Sequence, residues 1–295
     1  LRLSLIIPTQ RRLGPLKLAL SSALAQEGVD LAVQIVVVDN DQLPSARQTV
    51  EALGAVTYVH EPRAGVAFAR NAALAAATGE WIAFLDDDQE APKGWLAALL
   101  SMQRLTLADA VFGPVKARAQ VAPAPHRAYL ETFFSRLDPS QGGLIDHYYG
   151  CGNSLVRRAA MPAEFSLERN HIGGEDDLLF GQMQQAGATF AWAPDAFVFE
   201  DPAPDRQQLS YAIRRAFAYG QGPSEHCAAL NQPLGVARWM AIGAAQATVF
   251  GALAAAFWLV RAPARARTLD RAARGLGKLL WWGPFKIRFY GLPAS

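Results

Sequence analysis

Trp81-Ile82-Ala83-Phe84-Leu85-Asp86-Asp87-Asp88 is a short apolar run that ends in three carboxylates. Bounded by Gly79 on one side and acids on the other, it reads as a buried strand. In open α/β sheets ligands sit beyond the carboxyl ends of the strands, so acids at that end can face a ligand instead of a core. Alternation carried past the strand puts Asp86 and Asp88 on one side and Asp87 on the other. Like charges this close need donors or a cation to compensate them, and hard divalent cations favour carboxylate oxygens. A solvated acidic turn before a helix starting at Pro92 accounts for the same three residues. The rest of the chain has to decide between the two.

Upstream, Leu3 to Ile7 predicts a first strand stopped by Pro8, then the polar turn Thr9-Gln10-Arg11-Arg12 and a helix over 16–25. The β-branched run Gln34 to Val38 predicts a second strand, again ending in acids, Asp39-Asn40-Asp41. A helix over 45–53, a strand over 56–59 and a helix between Gly65 and Gly79 lead into the acidic strand. Strand and helix alternating at this pitch indicate a mostly parallel sheet with helices on both faces. No Gly-x-Gly-x-x-Gly follows the first strand, so a nucleotide's phosphates would need another partner, such as a cation held by the strand-end acids.

Downstream, the pattern predicts a helix over 92–102 and a strand over 110–115. Residues 120–143, with their prolines and glycines around Tyr129, Phe133 and Phe134, are expected to form an irregular excursion over the site. Gly150-Cys151-Gly152-Asn153 permits a tight approach into a further strand. A second acidic stretch, Gly173-Gly174-Glu175-Asp176-Asp177, precedes a helical pattern over 178–186. Acids there stabilise a helix N-terminus, and one of them, fixed at such a start, can also take a proton from a substrate hydroxyl.

With 295 residues, 51% of them hydrophobic, the chain has ample material for a large core. Its net charge of +2 gives no reason to expect a nucleic-acid partner. The charge is unevenly spread, however: Arg261, Arg265, Arg267, Arg271, Arg274, Lys278, Lys286 and Arg288 face a single acid, Asp270, which suits an anionic membrane surface. Cys151 and Cys227 have no metal-ligand or disulfide spacing and fit a reducing compartment. The first residues alternate like a strand, so no signal peptide is expected.

Taken together, Ile6-Ile7-Pro8-Thr9 with Arg12, Val36-Val37-Val38-Asp39, Gly65 with Ala69-Arg70-Asn71, Phe84-Leu85-Asp86-Asp87-Asp88, Gly152-Asn153 and Gly174-Glu175-Asp176 resemble glycosyltransferase family 2. These are inverting enzymes of the GT-A fold that use nucleotide sugars. The resemblance spans roughly residues 3–220 and is strongest toward bacterial exopolysaccharide transferases of the succinoglycan type.

By position, the resemblance implies that Pro8, Thr9 and Asp39 hold the base and ribose and that Arg70 lies near the nucleotide, with Arg12 part of the same motif. Asp86 and Asp88 match the outer residues of the family's D-x-D, Asp88 binding Mg²⁺ or Mn²⁺ on the diphosphate. Asp176 matches the catalytic base, and Glu175 a residue orienting the acceptor. Where many relatives have a metal-binding histidine, this chain has Glu200-Asp201. Glu200 is therefore either a substitute ligand or an exposed strand-end acid. Arg214 and Arg215 are read as a solvated face rather than diphosphate ligands. The Q-x-x-R-W pattern of processive synthases is not evident, so one sugar is transferred per encounter. Uridine diphosphate is favoured through the family alone.

From Trp239 to Val260 no charged residue occurs. That is long enough to span a bilayer, but a single crossing would carry the basic tail away from the cytosol, where nucleotide sugars are found. Residues 234–290 are therefore expected to lie in or on the inner leaflet, with Trp281, Trp282 and Phe285 at the interface. A buried helix completing a soluble fold is the alternative. The expected organisation is a GT-A domain over 1–225 and a helical membrane-associating segment over 226–295, at the cytoplasmic face of a bacterial inner membrane. The acceptor would then be a lipid-linked saccharide. Two other classes fit an α/β sheet with acids at its strand ends. One is a nucleotidyltransferase, disfavoured by the absence of a glycine in Pro8 to Arg12. The other is a non-catalytic sugar- or lipid-binding module, disfavoured by the two acidic stretches.

Overall fold

Period-two burial along the first strands explains why helices cover both faces of the sheet. The computed structural model describes residues 2–138, 140–170 and 174–287. Gly173 of the second acidic stretch and Arg288 of the basic tail lie outside the described residues. Strand β1 (Arg2–Thr9) leads to α1 (Leu13–Leu24), β2 (Ala32–Asp39), α2 (Arg47–Glu51), β3 (Thr57–His60), α3 (Val66–Ala76) and β4 (Trp81–Phe84). Leu3, Leu5, Ile7, Ile35, Val37 and Ala83 point to one core, shared with Leu16 and Leu20 of α1. Ile6, Val36, Val38, Ile82 and Phe84 point to the opposite core, shared with Ala69 and Ala73 of α3. β1 runs on through Pro8, beyond the expected stop, and pairs in parallel with β2 as far as Thr9 against Asp39.

After β4 come β5 (Gln89–Glu90), α4 (Trp95–Thr106), β6 (Ala110–Phe112), β7 (Val115–Ala117), α5 (Arg127–Phe134), β8 (Gly143–Ile145), β9 (Ser154–Arg157), α6 (Glu175–Gln185), β10 (Phe190–Trp192) and β11 (Val198–Glu200). The main sheet has the order β3-β2-β1-β4-β9-β6-β10-β8, and a small sheet has the order β5-β11-β7. In the main sheet β9 and β8 run against the other strands. α4 packs on the first core through Trp95, Leu96 and Leu99. α6 packs on the second through Leu179, Phe180 and Met183.

The chain closes with α7 (Leu209–Ala229), α8 (Pro233–Leu259) and α9 (Arg265–Leu279). Among the described residues two compact units result: the chain up to Lys116 with Ser135–Asp201, and Ala117–Phe134 with residues 202–287. The boundary expected at 225/226 falls inside α7, which runs on through Pro223 to Ala229 and leaves no linker there. The excursion expected over 120–143 is largely ordered. α5 lies within it, and Tyr129 and Leu130 share a small core with Ala119, Ala122, Ala212 and Ala266 of the second unit. Aromatic residues that read as a loop patch are thus the buried face of a helix.

Small residues hold the last three helices together. A β-carbon at Gly243 of α8 would stand 2.7 Å from the Gly275 carbonyl oxygen of α9, and one at Gly220 of α7 would stand 2.3 Å from the Arg274 carbonyl oxygen. Such close backbone approach is the packing mode of helices that cannot rely on water to drive them together. The outer face of α8 stays uncovered and carries Ile242, Val249, Leu253 and Leu259. With 27 residues the helix is long and apolar enough to cross a bilayer.

Candidate active site

The acidic turn after β4 and the start of α6 meet across the loop that enters β9. Asp86 follows the alternation of Ile82 and Phe84 toward α3 and α6, where the buried Arg70 guanidinium lies 3.8 Å away. The same Arg70 pairs with Glu175. Between the two acidic groups runs Gly150-Cys151-Gly152, and its glycines explain how the gap closes. A β-carbon on Gly150 would stand 2.7 Å from an Asp176 oxygen, and one on Gly152 would stand 2.2 Å from an Asp86 oxygen. The Cys151 N–H donates to Asp176 Oδ2 at 3.2 Å, and the Asp177 N–H donates to Asp176 Oδ1 at 3.0 Å. Carboxylates 90 positions apart in sequence therefore flank one three-residue segment.

Strand pairing adds a third acid. β5 pairs antiparallel with β11 so that Glu200 stands opposite Gln89. Gln89 Nε2 donates to Glu200 Oε2 at 3.3 Å, while its Oε1 accepts the Asp86 N–H at 3.1 Å. Burial, then the charges of Asp88 and Asp86, push the Glu200 carboxyl up to about 8. Burial also pushes Asp86 up to about 6, against the pull of Arg70 and with the push of Asp88, Asp87 and Asp176. Glu200 is thus part of the acidic cluster and not a remote strand-end residue.

Asp87 and Asp88 take different partners from those that alternation suggested. β4 ends at Phe84, and the chain turns so that the Gln89 N–H reaches the Asp86 carbonyl at 3.0 Å. Arg12 then bridges Asp87 at 2.7 Å and Asp88 at 2.9 Å, and the Thr9 hydroxyl donates to Asp87 at 2.7 Å. Asp88 is therefore tied to Asp87 through Arg12, while its charge still acts on Asp86 and Glu200. Thr9 and Arg12 serve the acidic turn from the end of β1, beside the half-buried Pro8.

Two expected contacts lie deeper than sequence suggested. Asp39 has no exposed surface; its carboxylate accepts the Ala46 N–H at 2.7 Å and the Tyr58 hydroxyl at 2.8 Å, which fixes the loop into α2. Glu175, expected to orient an acceptor, is 4% exposed and fixes Arg70 instead. The rim beyond β1 and β2 is formed by Arg11, paired with Asp41 at 2.7 Å.

Arg136 escaped the sequence reading. Its guanidinium donates to the carbonyls of Gly113, Gly150, Gly152 and Asn153. No motif marks it, because its role arises from acceptors brought together only by folding. Asn153, at φ +59°, is held by Trp95 Nε1 at 2.7 Å and donates to the Pro114 and Ala196 carbonyls at 2.8 Å each.

Asp86, Asp88 and Glu200 supply hard oxygen donors, and burial together with their mutual repulsion raises the carboxyls of Asp86 and Glu200. Among the described residues no three His, Cys, Asp or Glu side chains form a ready metal cage. Mg²⁺ needs none, since it is commonly held by one or two carboxylates together with substrate phosphates and waters. The donor chemistry therefore fits a divalent cation that arrives with a diphosphate.

Residues 4–163 match the family model described as Glycosyl transferase family 2. The succinoglycan biosynthesis protein ExoM of Rhizobium meliloti is 39% identical over 198 residues, covering 64% of this chain and 63% of that protein. The pre-mycofactocin glycosyltransferase of Mycobacterium tuberculosis is 30% identical over 192 residues, covering 62% of this chain and 38% of that protein. The chain thus spans less than two thirds of the length of these relatives. Among solved structures, S. aureus TarS 1-349 aligns with a TM-score of 0.52 at 16% identity, covering 92% of this chain and 89% of that one. The same TarS fragment in complex with UDP gives 0.51 at the same identity and coverage. At that identity the likeness establishes the fold, which is the expected GT-A type.

Proposed function

The chain belongs to glycosyl transferase family 2, and from that premise we propose that it moves one sugar from a nucleotide diphosphate sugar, a UDP-sugar above all, to a hydroxyl of a saccharide acceptor. The observation that carries this reading is the meeting of Asp86 and Asp176 on either side of Gly150-Cys151-Gly152, with Arg70 tied to both acidic stretches. Two backbone N–H groups orient Asp176 and leave acceptor capacity on its oxygens. Asp176 takes the proton of the acceptor hydroxyl. That oxygen bonds to the anomeric carbon, the bond to the diphosphate breaks with its electron pair on the diphosphate, and the configuration inverts. Asp86, Asp88 and Glu200 would hold Mg²⁺ or Mn²⁺, which would supply charge stabilisation for the diphosphate. Arg70 adds a fixed positive charge nearby, pre-oriented by Glu175.

Nucleoside contacts belong to the end of β1, at Pro8, Thr9 and the Arg11–Asp41 rim, with Asp39 beneath them as a support. The UDP complex of TarS and the name of the Rhizobium relative support a uridine donor and a role in cell-surface polysaccharide synthesis. The outward apolar face of α8, next to the basic residues of α9, supports attachment to an anionic membrane surface at the cytoplasmic side, and with it a lipid-linked acceptor. Aromatic side chains lie under these cations: Arg265 is 5.4 Å from the Trp258 ring centroid and Arg271 is 5.0 Å from that of Phe250.

A panel of nucleotide sugars, assayed with Mg²⁺, Mn²⁺ or a chelator, tests the reading through release of free nucleotide. Cation-dependent release of UDP from one sugar donor is expected. Pyrophosphate release from a nucleoside triphosphate would replace it with nucleotidyl transfer, and binding without turnover of any donor would leave a carbohydrate-binding module.

A further inference from the structure

Arg136 stands outside every motif and touches neither acidic group, yet four backbone carbonyls converge on it. Its own backbone is pinned by paired hydrogen bonds with Val115, 2.9 Å each way. From that anchor Nη1 reaches the Gly150 carbonyl at 3.0 Å, and Nη2 reaches those of Gly113, Gly152 and Asn153 at 3.0, 2.5 and 3.0 Å. Nε is buried and has no partner among the described residues. Burial lowers the Arg136 pKa to about 10, although Asp86, Glu200 and Asp176 act to raise it. A buried guanidinium is costly unless it is hydrogen-bonded and faces opposite charge; here its hydrogen bonds to four carbonyls, with the nearby carboxylates, offset that cost and tie the loop to Arg136.

What they hold is the segment that separates the acidic groups. Gly150 lies against Asp176 and Gly152 lies against Asp86, so movement of this loop alters the separation of the two carboxylates. The loop's leading side is braced as well. The Tyr149 ring lies 5.5 Å from the Arg136 guanidinium, and its hydroxyl donates to Asp138, which also faces His147 at 2.8 Å.

We propose that Arg136 is a positioning residue for sugar transfer: by gripping the Gly150–Asn153 carbonyls it sets the separation between the Asp86 group on the leaving-group side and Asp176 on the acceptor side. The proposal rests on the transferase reading above. Lysine keeps the charge but lacks the planar fork of donors that meets four carbonyls, so charge and geometry can be separated.

Cys151 lies in the gripped loop with no exposed surface, and Cys227 is buried in the other unit, which supplies a reporter and an internal control. Full-length parent, Arg136→Lys and Arg136→Gln are compared for steady-state kinetics with the donor identified by the nucleotide-sugar panel. Iodoacetamide labelling of each cysteine, read by mass spectrometry, and thermal unfolding are measured on the same samples. Both variants are expected to lose kcat by about 10²-fold, the effect of misplacing reacting groups by about 1 Å, with donor KM within about threefold of the parent. Cys151 labelling is expected to rise about tenfold or more while Cys227 labelling stays at the parent rate, as a locally opened segment predicts. Parent-like kcat in Arg136→Lys would overturn the proposal, as would Cys151 and Cys227 becoming reactive together.

If neither variant folds, Tyr149→Phe loosens the same loop by one hydrogen bond. It should lower kcat about threefold with selective Cys151 exposure; no change in either would overturn the proposal. If the parent turns over no nucleotide sugar, the functional reading fails by itself, and the labelling still decides whether Arg136 holds the loop.

Discussion

The two units dispose of apolar surface in opposite ways. In the first, β-branched and aromatic side chains of the sheet are shut between helices on both faces, and acids beyond the strand ends are gathered beside Arg70 and Arg12. In the second, helices approach one another through glycine and alanine, while larger apolar residues of α8 such as Val249 and Leu253 face outward, 56% and 39% exposed. A sheet whose cores are filled can devote its edges to chemistry. A helical layer that keeps its bulky residues outside leaves an apolar surface, and the proposed membrane attachment rests on it.

The contrast breaks most visibly at Arg70. Arg70→Met leaves Glu175 buried without its cation, which costs about 3–5 kcal/mol of stability, and it removes the link between the acidic stretches. Chemical denaturation should show a destabilisation of that size, with transfer falling below detection. A fully stable, active Arg70→Met chain would mean that the acidic stretches are held by something else.

The second unit is tested by charge. Val249→Glu with Leu253→Glu should lower binding to vesicles containing phosphatidylglycerol by on the order of tenfold or more, while transfer to a water-soluble acceptor remains at the parent level. Sedimentation with the vesicles reads the result. Undiminished binding would show that the uncovered face of α8 does not meet lipid.

A smaller effect is expected at Glu200. Its carboxyl is raised in the folded chain to about 8, above the ordinary value of 4.5. The folded state therefore holds more protons than the unfolded state between about pH 4.5 and 8, and stability falls as pH rises through that window. Glu200→Gln should flatten that part of the pH–stability curve and raise the melting temperature at pH 8. A saturating divalent cation should have the same effect on the parent if it binds there. An unchanged slope in the variant would remove Glu200 from the acidic cluster.

The alternation of Leu3 to Ile7, Ile35 to Val38 and Trp81 to Phe84 made the sheet and its two helical faces legible, because period-two burial is a local property. The acids at strand and helix ends were legible as candidates for the same reason. Their partners were not. Asp39 follows a strand as an active-site acid would, and only folding shows the Ala46 N–H and the Tyr58 hydroxyl both donating to its Oδ2. Arg12 divides itself between Asp87 and Asp88 because the chain turns after Phe84, which alternation does not foresee. α5 was read as an excursion because Pro123, Pro125, Gly142 and Gly143 bracket it, although Tyr129 and Leu130 carry its buried face. Arg136 had no local signature, since Gly113, Gly150, Gly152 and Asn153 become neighbours only in the folded chain.

The central claim is that two acidic stretches far apart in sequence share one reaction, one holding the leaving group and the other activating the acceptor. Asp176→Asn tests it most directly, through donor affinity by titration calorimetry and transfer rate on the same protein. Donor affinity within about threefold of the parent and transfer lowered by about 10²–10⁴-fold is the expected result for loss of a general base. Transfer at the parent rate, or donor binding lost in proportion to transfer, would contradict the account.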